Sequence, residues 1–291
     1  MKVIKYLFEA LFIYTFFFII KVIGLNNGRK LATLIFKNIG PFFKSKNIIN
    51  ENLDRALIDN SNSTKKEIIL KMWSNYAMTF VEYLYLKRFK KNILNNSKIT
   101  IKGKNIIDQI KIEKKPVIFI SGHFANFELM SMYLVQNDIK LATIYRPLNN
   151  FFLNPLMEFL RRNHVCKNQI KKGLAGIRDV VEYLKKDYSI ALMVDQRVSE
   201  GKSLPFFEKN ALTTTLPAQV ALKYKFDIVP IYISRKKNNN FEIEILNPIK
   251  TTEISDTEKN KIDISLRINK IIEKMILRDP SQWIWTHNRW K

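Results

Sequence analysis

"PVIFISGHFANFELM", residues 116–130, decides the fold. Val117 to Ile120 are apolar without alternation, as in a strand covered on both faces. Gly122 and His123 follow at its end, and "NFELMSMYLVQN" (126–137) reads as a helix. In open α/β sheets ligands bind beyond the carboxyl ends of strands. His123 therefore stands where a ligand is expected, with Gly122 allowing the backbone to turn and bring the imidazole forward.

The same alternation repeats downstream. "LATIYR" (141–146), "SIALMVDQ" (189–196) and "DIVPIYISR" (227–235) read as further strands. "NPLMEFLRRN" (154–163), "GLAGIRDVVEYLKK" (173–186), "TTTLPAQVALKY" (213–224) and "KIDISLRINKIIEKMIL" (261–277) read as helices, the second with Leu174, Ile177, Val181 and Leu184 on one face. "NFEIEILNP" (240–248) alternates like an exposed edge strand. Such a run implies βαβ units: an α/β fold with a largely parallel central sheet and helices on both faces.

Two segments precede it. "STKKEIILKMWSNYAMTFVEYLYLKRF" (63–89) has no Gly or Pro and predicts one long helix, capped by Ser63 or Thr64. The first 25 residues are mostly aliphatic and aromatic, uncharged from Ala10 to Ile20 and bounded by Glu9 and Lys21. A full membrane span needs about 20 such residues, and aromatics run around the whole predicted helix. A membrane anchor is expected there, ahead of a buried helix or a secretory signal, spanning or interfacial. The expected organisation is an anchor over 1–25, a helical segment over 26–98 packed on the catalytic part, and an α/β domain over 99–291.

With 291 residues, 46% of them hydrophobic, the chain affords a sizeable core. A net charge of +23 draws it toward anionic partners, although part of the charge follows a Lys, Asn and Ile bias in composition. One cysteine, Cys166, excludes an intramolecular disulfide and is a weak nucleophile candidate.

Glu128 follows His123 by five residues, a spacing that puts side chains on different faces of an unbroken helix, so the two meet only if the chain is not helical at His123. A neutral imidazole that takes a proton from a hydroxyl, with a carboxylate on its other nitrogen, suits base catalysis. No Gly-x-Ser-x-Gly elbow is present, which favours a substrate hydroxyl as nucleophile and acyl transfer without a covalent enzyme intermediate. The plainer reading is a core histidine beside a helix-capping glutamate. His164 and His287 lie far away in sequence, and no metal-ligand spacing or cofactor signature occurs.

"GHFANFELM", "YRPLNN", "LMVDQR", "LPFFEKNALTTTLPAQVA", "IVPIYI" and "QWIWTHNRWK" stand in the order found in the lipid A biosynthesis (lauroyl/myristoyl) acyltransferases, which the chain resembles over roughly residues 100–291. These belong to the lysophospholipid acyltransferase superfamily, marked by HxxxxD/E. The resemblance implies transfer of an acyl chain from acyl carrier protein to a hydroxyl of a lipid A precursor, at the cytoplasmic face of the bacterial inner membrane. It implies His123 as general base, Glu128 as its orienting partner, and Arg146, Asp195 and Gln196 as substrate-binding residues. Phe127 stands where the family commonly has tryptophan, and Glu208 where glycine usually follows "PFF".

An acidic carrier protein, a phosphorylated acceptor and an anionic bilayer would each suit basic clusters such as residues 235–237 and Arg161–Arg162. Trp283, Trp285 and Trp290 either sit at the membrane interface with Arg289 and Lys291 or pack on the domain. Phospholipid- or mannoside-directed acylation within the same superfamily is the alternative, and a basic nucleic-acid binder is the non-enzymatic one, without a recognition motif to support it.

Overall fold

The structure, a computed structural model, describes residues 2–43, 46–57, 61–95 and 98–291. Four helices come first: α1 (Lys2–Phe43), α2 (Lys46–Ala56), α3 (Asn62–Glu82) and α4 (Leu86–Leu94). Then follow β1 (Ile99–Lys102), α5 (Lys104–Glu113), β2 (Ile118–Ser121), α6 (Glu128–Gln136), β3 (Leu141–Tyr145), α7 (Asn154–His164), β4 (Asn168–Lys171), α8 (Leu174–Lys185) and β5 (Ser189–Met193). The chain closes with β6 (Lys202–Phe206), β7 (Lys209–Thr213), α9 (Leu216–Tyr224), β8 (Ile228–Arg235), β9 (Phe241–Ile245) and α10 (Glu258–Arg278).

Seven strands form one sheet in the order β1-β9-β8-β2-β5-β3-β4, parallel throughout except between β8 and β9. β2 lies near its centre with all four residues buried, which is why its sequence does not alternate. Phe119 faces one helical layer, with Leu86 of α4 and Leu129 of α6. Ile118 and Ile120 face the other, with Val180 of α8, Leu222 of α9 and Ile268 of α10. Each such aliphatic side chain, fully buried, contributes roughly 1.5–3 kcal/mol. Because β2, β3, β5 and β8 run the same way, the segments after Ser121, Tyr145, Met193 and Arg235 all emerge at one edge.

α1 is two arms. Gly24 has φ +79° and ψ 169°, outside the helical region, and the chain bends there so that Phe17 and Phe36 both reach Phe80 of α3. Close packing holds the second arm. A Cβ on Gly40 would lie 2.6 Å from the Trp73 ring, and one on Gly28 would lie 2.9 Å from Ile20 of the first arm.

Several expectations are corrected. The helix predicted over 63–89 is capped at Ser61, whose Oγ accepts from the Thr64 N–H, and it breaks into a 3₁₀ turn at Tyr83–Tyr85. The strand at Phe241–Ile245 is not at the edge: β1 covers its outer side, and its alternation arises because Glu242 and Glu244 pair with Lys102, Lys236 and Arg278. The threonine-rich entry to the helix holds only in part: Thr215 is the N-cap residue of α9 and Thr214 Oγ1 accepts from the Leu216 N–H at 3.3 Å, but Thr213 lies outside it. Thr213 ends an antiparallel hairpin, β6–β7, and α9 starts at Leu216. On α8 the burial of Leu174 lies outside what is described; among the described side chains and glycines the buried residues are Gly176, Val180 and Leu184, with Val181 half-buried and Ile177 exposed. Gly176 sets that rotation, since a Cβ there would fall 2.0 Å from the Lys171 carbonyl oxygen.

The tail tryptophans do not face a membrane. Trp283, Trp285, Trp290 and Arg289 are all buried. Trp285 Nε1 donates to the Pro280 carbonyl at 2.7 Å and Trp290 Nε1 to that of Phe206 at 3.0 Å. An indole goes into a core when its N–H finds an acceptor there.

Candidate active site

β2 and β5 are parallel neighbours in the register Ser121↔Met193. Two residues further along each chain come His123 and Asp195, and the structure brings them together. His123 Nδ1 lies 2.8 Å from Asp195 Oδ1, and the His123 backbone N–H donates to Oδ2 at 2.9 Å. Trp283 Nε1 donates to the same Oδ2 at 2.8 Å. Gly122 makes this possible by its size, because a Cβ would meet the Phe124 ring at 2.7 Å and Asp195 Cβ at 3.3 Å.

Asp195 is buried. Burial alone would raise its pKa, but the charge and hydrogen bonds of His123 and the Trp283 N–H outweigh it and hold the carboxyl at about 2. An ionised carboxylate only accepts hydrogen bonds. Nδ1 therefore carries a proton in either form of the ring, and whenever the ring is neutral the lone pair is on Nε2, where it can serve as a base. Among the described residues nothing hydrogen-bonds to Nε2, and the side chain is 20% exposed. The Phe127 ring packs edge-on against the imidazole at 4.8 Å.

The carboxylate expected beside the ring, Glu128, is engaged elsewhere. Its Oε1 accepts from Tyr83 OH at 2.6 Å and from Arg161 Nε at 2.7 Å, and it forms an ion pair with Arg161 Nη2 at 2.7 Å. Burial, with the charge of Glu128, pushes the Tyr83 phenol above its ordinary range, so it remains a donor. The physical reason for the pairing is Arg161: its guanidinium is largely buried, and a buried cation must find a carboxylate. Arg161 is thus not part of a surface basic cluster, whereas Arg162 is exposed. Arg235 is likewise drawn inside, while Lys236 and Lys237 stay exposed.

The loop from Gly122 to Phe127 is clamped from several sides. Ala125 has φ +44°, a conformation unusual for a residue with a Cβ. Its N–H donates to the Gln282 carbonyl at 3.1 Å, and its own carbonyl accepts from Thr79 Oγ1 at 3.0 Å. Asn126 Nδ2 donates to Glu82 Oε2 at 3.0 Å. Glu82 is fully buried and pairs with two arginines, Arg29 of α1 and Arg235 at the end of β8.

The other expected site residues stand at the same edge without joining this network. Arg146 is exposed just beyond β3, near Lys172, whose ammonium is pushed down by burial and by Arg146. Gln196 is half-buried beside Asp195. His287 Nε2 accepts from the Arg197 N–H at 3.0 Å. Burial pushes the Cys166 thiol up to about 11, which makes it unreactive. Among the described residues no group of three His, Cys, Asp or Glu is placed to hold a metal ion.

A sequence model of the bacterial lipid A biosynthesis acyltransferases matches residues 2–291. The chain belongs to this family. It is 26% identical over 267 residues to the lipid A biosynthesis palmitoleoyltransferase of Escherichia coli strain K12, covering 90% of this chain and 84% of that protein. It is 22% identical over 249 residues to the lauroyltransferase of the same organism, covering 84% and 78%. A Haemophilus influenzae lipid A biosynthesis acyltransferase is 23% identical over 185 residues, covering 62% and 57%. The protein is an acyltransferase, and its family supports acyl transfer in lipid A biosynthesis.

Sequence reasoning missed Tyr83, Glu82, Arg29 and Trp283 in this acyltransferase. It named Asp195 but not its tie to His123. The available signal was positional: both residues stand two places past the ends of adjacent strands.

Proposed function

We propose that the acyltransferase moves a fatty acyl chain from acyl carrier protein to a hydroxyl of a lipid A precursor, with His123 as general base. The observation that carries this reading is the imidazole at the carboxyl edge, with Nδ1 committed to Asp195 and Nε2 unengaged. Nε2 takes the proton of the acceptor hydroxyl as its oxygen attacks the thioester carbonyl carbon. The tetrahedral adduct collapses, the C–S bond breaks and an ester C–O bond remains. The departing thiolate takes the proton back from the imidazolium, so the enzyme is restored without a covalent intermediate.

Asp195 holds the tautomer and stabilises the imidazolium. Glu128 acts on the same loop from behind, by anchoring the start of α6 to Tyr83 and Arg161. Arg146 and Gln196 flank the approach to the edge as substrate contacts, and Arg146 suits a phosphate. The setting is the cytoplasmic face of the inner membrane, with α1 as the anchor and anionic lipid matched by the basic surface.

Purified protein in detergent, given carrier protein loaded with labelled acyl chain, tests this against a panel of lipid A precursor, glycerol phosphate, lysolipid and mannosylated lipid. Label is expected on the lipid A precursor and lost with His123→Ala. Label on glycerol phosphate or lysolipid instead would overturn the acceptor assignment, and turnover retained by folded His123→Ala would overturn the base.

A further inference from the structure

The first arm of α1, residues 2–23, has two contrasting faces. One is packed: Phe16, Phe17 and Ile20 are buried. Along it the Tyr14 hydroxyl donates to the Phe152 carbonyl at 2.8 Å, Lys21 Nζ to the Leu84 carbonyl at 2.8 Å, and Tyr85 OH to the Ile20 carbonyl at 3.0 Å. The other face is bare: Ile4, Phe8, Leu11, Phe12, Phe18 and Val22 are 54–71% exposed. At about 100° per residue these six fall within about 120° of the helix circumference. The charged residues of the arm, Lys2, Lys5, Glu9 and Lys21, all lie outside that arc. Contiguous apolar surface of this kind marks a site of contact with a partner or membrane.

The arm is long and apolar enough to cross a bilayer, but its packed side argues against crossing. Asn150 Nδ2 donates to the Tyr6 carbonyl at 2.8 Å, and Tyr6 and Phe151 rings meet at 5.9 Å. Those contacts come from residues 146–153, irregular backbone that follows β3. A helix lowered through the hydrocarbon would carry this backbone with it, where its polar groups would lack partners. The same residues belong to the sheet edge where His123 emerges, and Leu148 and Phe151 there are 40% and 51% exposed.

We propose that the first arm of α1 lies in the plane of one leaflet, its bare face in the acyl-chain layer, and that the catalytic edge meets the bilayer beside it. The proposal rests on the reading of α1 as a membrane anchor. It commits to a lipid surface as the occupant because the arc is free of charge, Lys5 and Lys21 border it, and the chain carries +23. The lipid acceptor then reaches His123 from the leaflet in which α1 lies, and the chain never crosses to the other side.

The test uses the full chain bound to sealed vesicles of phosphatidylethanolamine and phosphatidylglycerol. Ile4→Cys, Leu11→Cys, Phe18→Cys and Val22→Cys, which all point the same way, each carry one fluorophore; Cys166 is 2% exposed and stays silent. Nitroxides at defined depths along the lipid chains report the depth of each label. An in-plane arm gives four equal depths, and Lys2→Cys reacts with an impermeant maleimide added on the side to which the protein was added. Ile4 and Val22 lie about 27 Å apart along the axis. A graded depth across them, with Lys2→Cys reached only from the opposite side, would overturn the proposal while leaving the membrane anchor intact. Binding without quenching, with labels crosslinking between copies, would overturn it in favour of a dimer face. Failure to bind the vesicles at all would overturn both.

Discussion

Asp195 meets His123 twice, once at the ring and once at the backbone: Oδ1 lies 2.8 Å from Nδ1 and Oδ2 accepts the main-chain N–H at 2.9 Å. One side chain thus fixes both the tautomer of the imidazole and the position of the residue that bears it. Asp195→Asn keeps the shape but lets an amide N–H face Nδ1, which favours the wrong tautomer. A fall in kcat of roughly 10³–10⁴-fold with little change in KM is expected. Steady-state transfer of labelled acyl chain measures it, and an unchanged kcat would remove Asp195 from the mechanism.

Glu128 predicts a different signature. Glu128→Ala leaves Arg161 unpaired in the interior, so a loss of about 3–5 kcal/mol in unfolding free energy is expected. Glu128→Ala combined with Arg161→Met should recover much of it, since the stranded charge is gone. Denaturant unfolding of the single and double variants checks this. A large loss of kcat at unchanged stability would instead return Glu128 to the chemistry.

The pH dependence of stability follows from Asp195. Its carboxyl ionises at about 2 in the folded protein, below the ordinary 3.8. A carboxyl depressed by folding stabilises the native state above its unfolded value and ceases to do so as pH falls through the folded one. The contribution, on the order of 2 kcal/mol, is therefore complete at neutral pH and fades between about pH 4 and pH 2. The stability difference between wild type and Asp195→Asn, followed from pH 7 to pH 2, should keep its neutral value down to about pH 4 and shrink below it.

Glu208 occupies a turn that suits glycine. Phe207 and Glu208 have φ of +49° and +61° and join β6 to β7 as a two-residue hairpin turn. Both positions require the left-handed region, which costs a residue with a Cβ about 1–2 kcal/mol. Glu208→Gly is expected to raise the unfolding free energy by about 1 kcal/mol, measured as a shift in denaturation midpoint. No gain would mean that Glu208 has a compensating contact.

The sheet was legible where its strands are buried on both faces. β2, β3, β5 and β8 announce themselves as unbroken apolar runs between helical segments. β1 and β4, "ITIK" and "NQIK", lie at the edges with one buried residue each, and nothing in so short a polar run separates strand from loop. The β6–β7 hairpin escaped notice because Phe207-Glu208 lacks the Asn-Gly signal of its turn type. His123, Glu128 and Asp195 were all visible as candidate site residues. Their pairing was not, because nearness in sequence pointed to Glu128, whereas the contact with Asp195 spans 72 residues and depends on strand register. Buried arginines disguised themselves as surface charge: Arg161 and Arg235 read as basic patches until their carboxylates came into view.

Glu82 serves Arg29 of α1 and Arg235 of the sheet, while its second oxygen holds Asn126, three residues from His123. Detaching α1, by deletion or by a harsh detergent, therefore does more than undo the proposed lipid anchor. It withdraws one of the two cations that neutralise a sealed carboxylate and slackens the far end of the segment on which His123 rides. Solubilised preparations should lose turnover in step with the docking of that helix, even toward acceptors that need no bilayer.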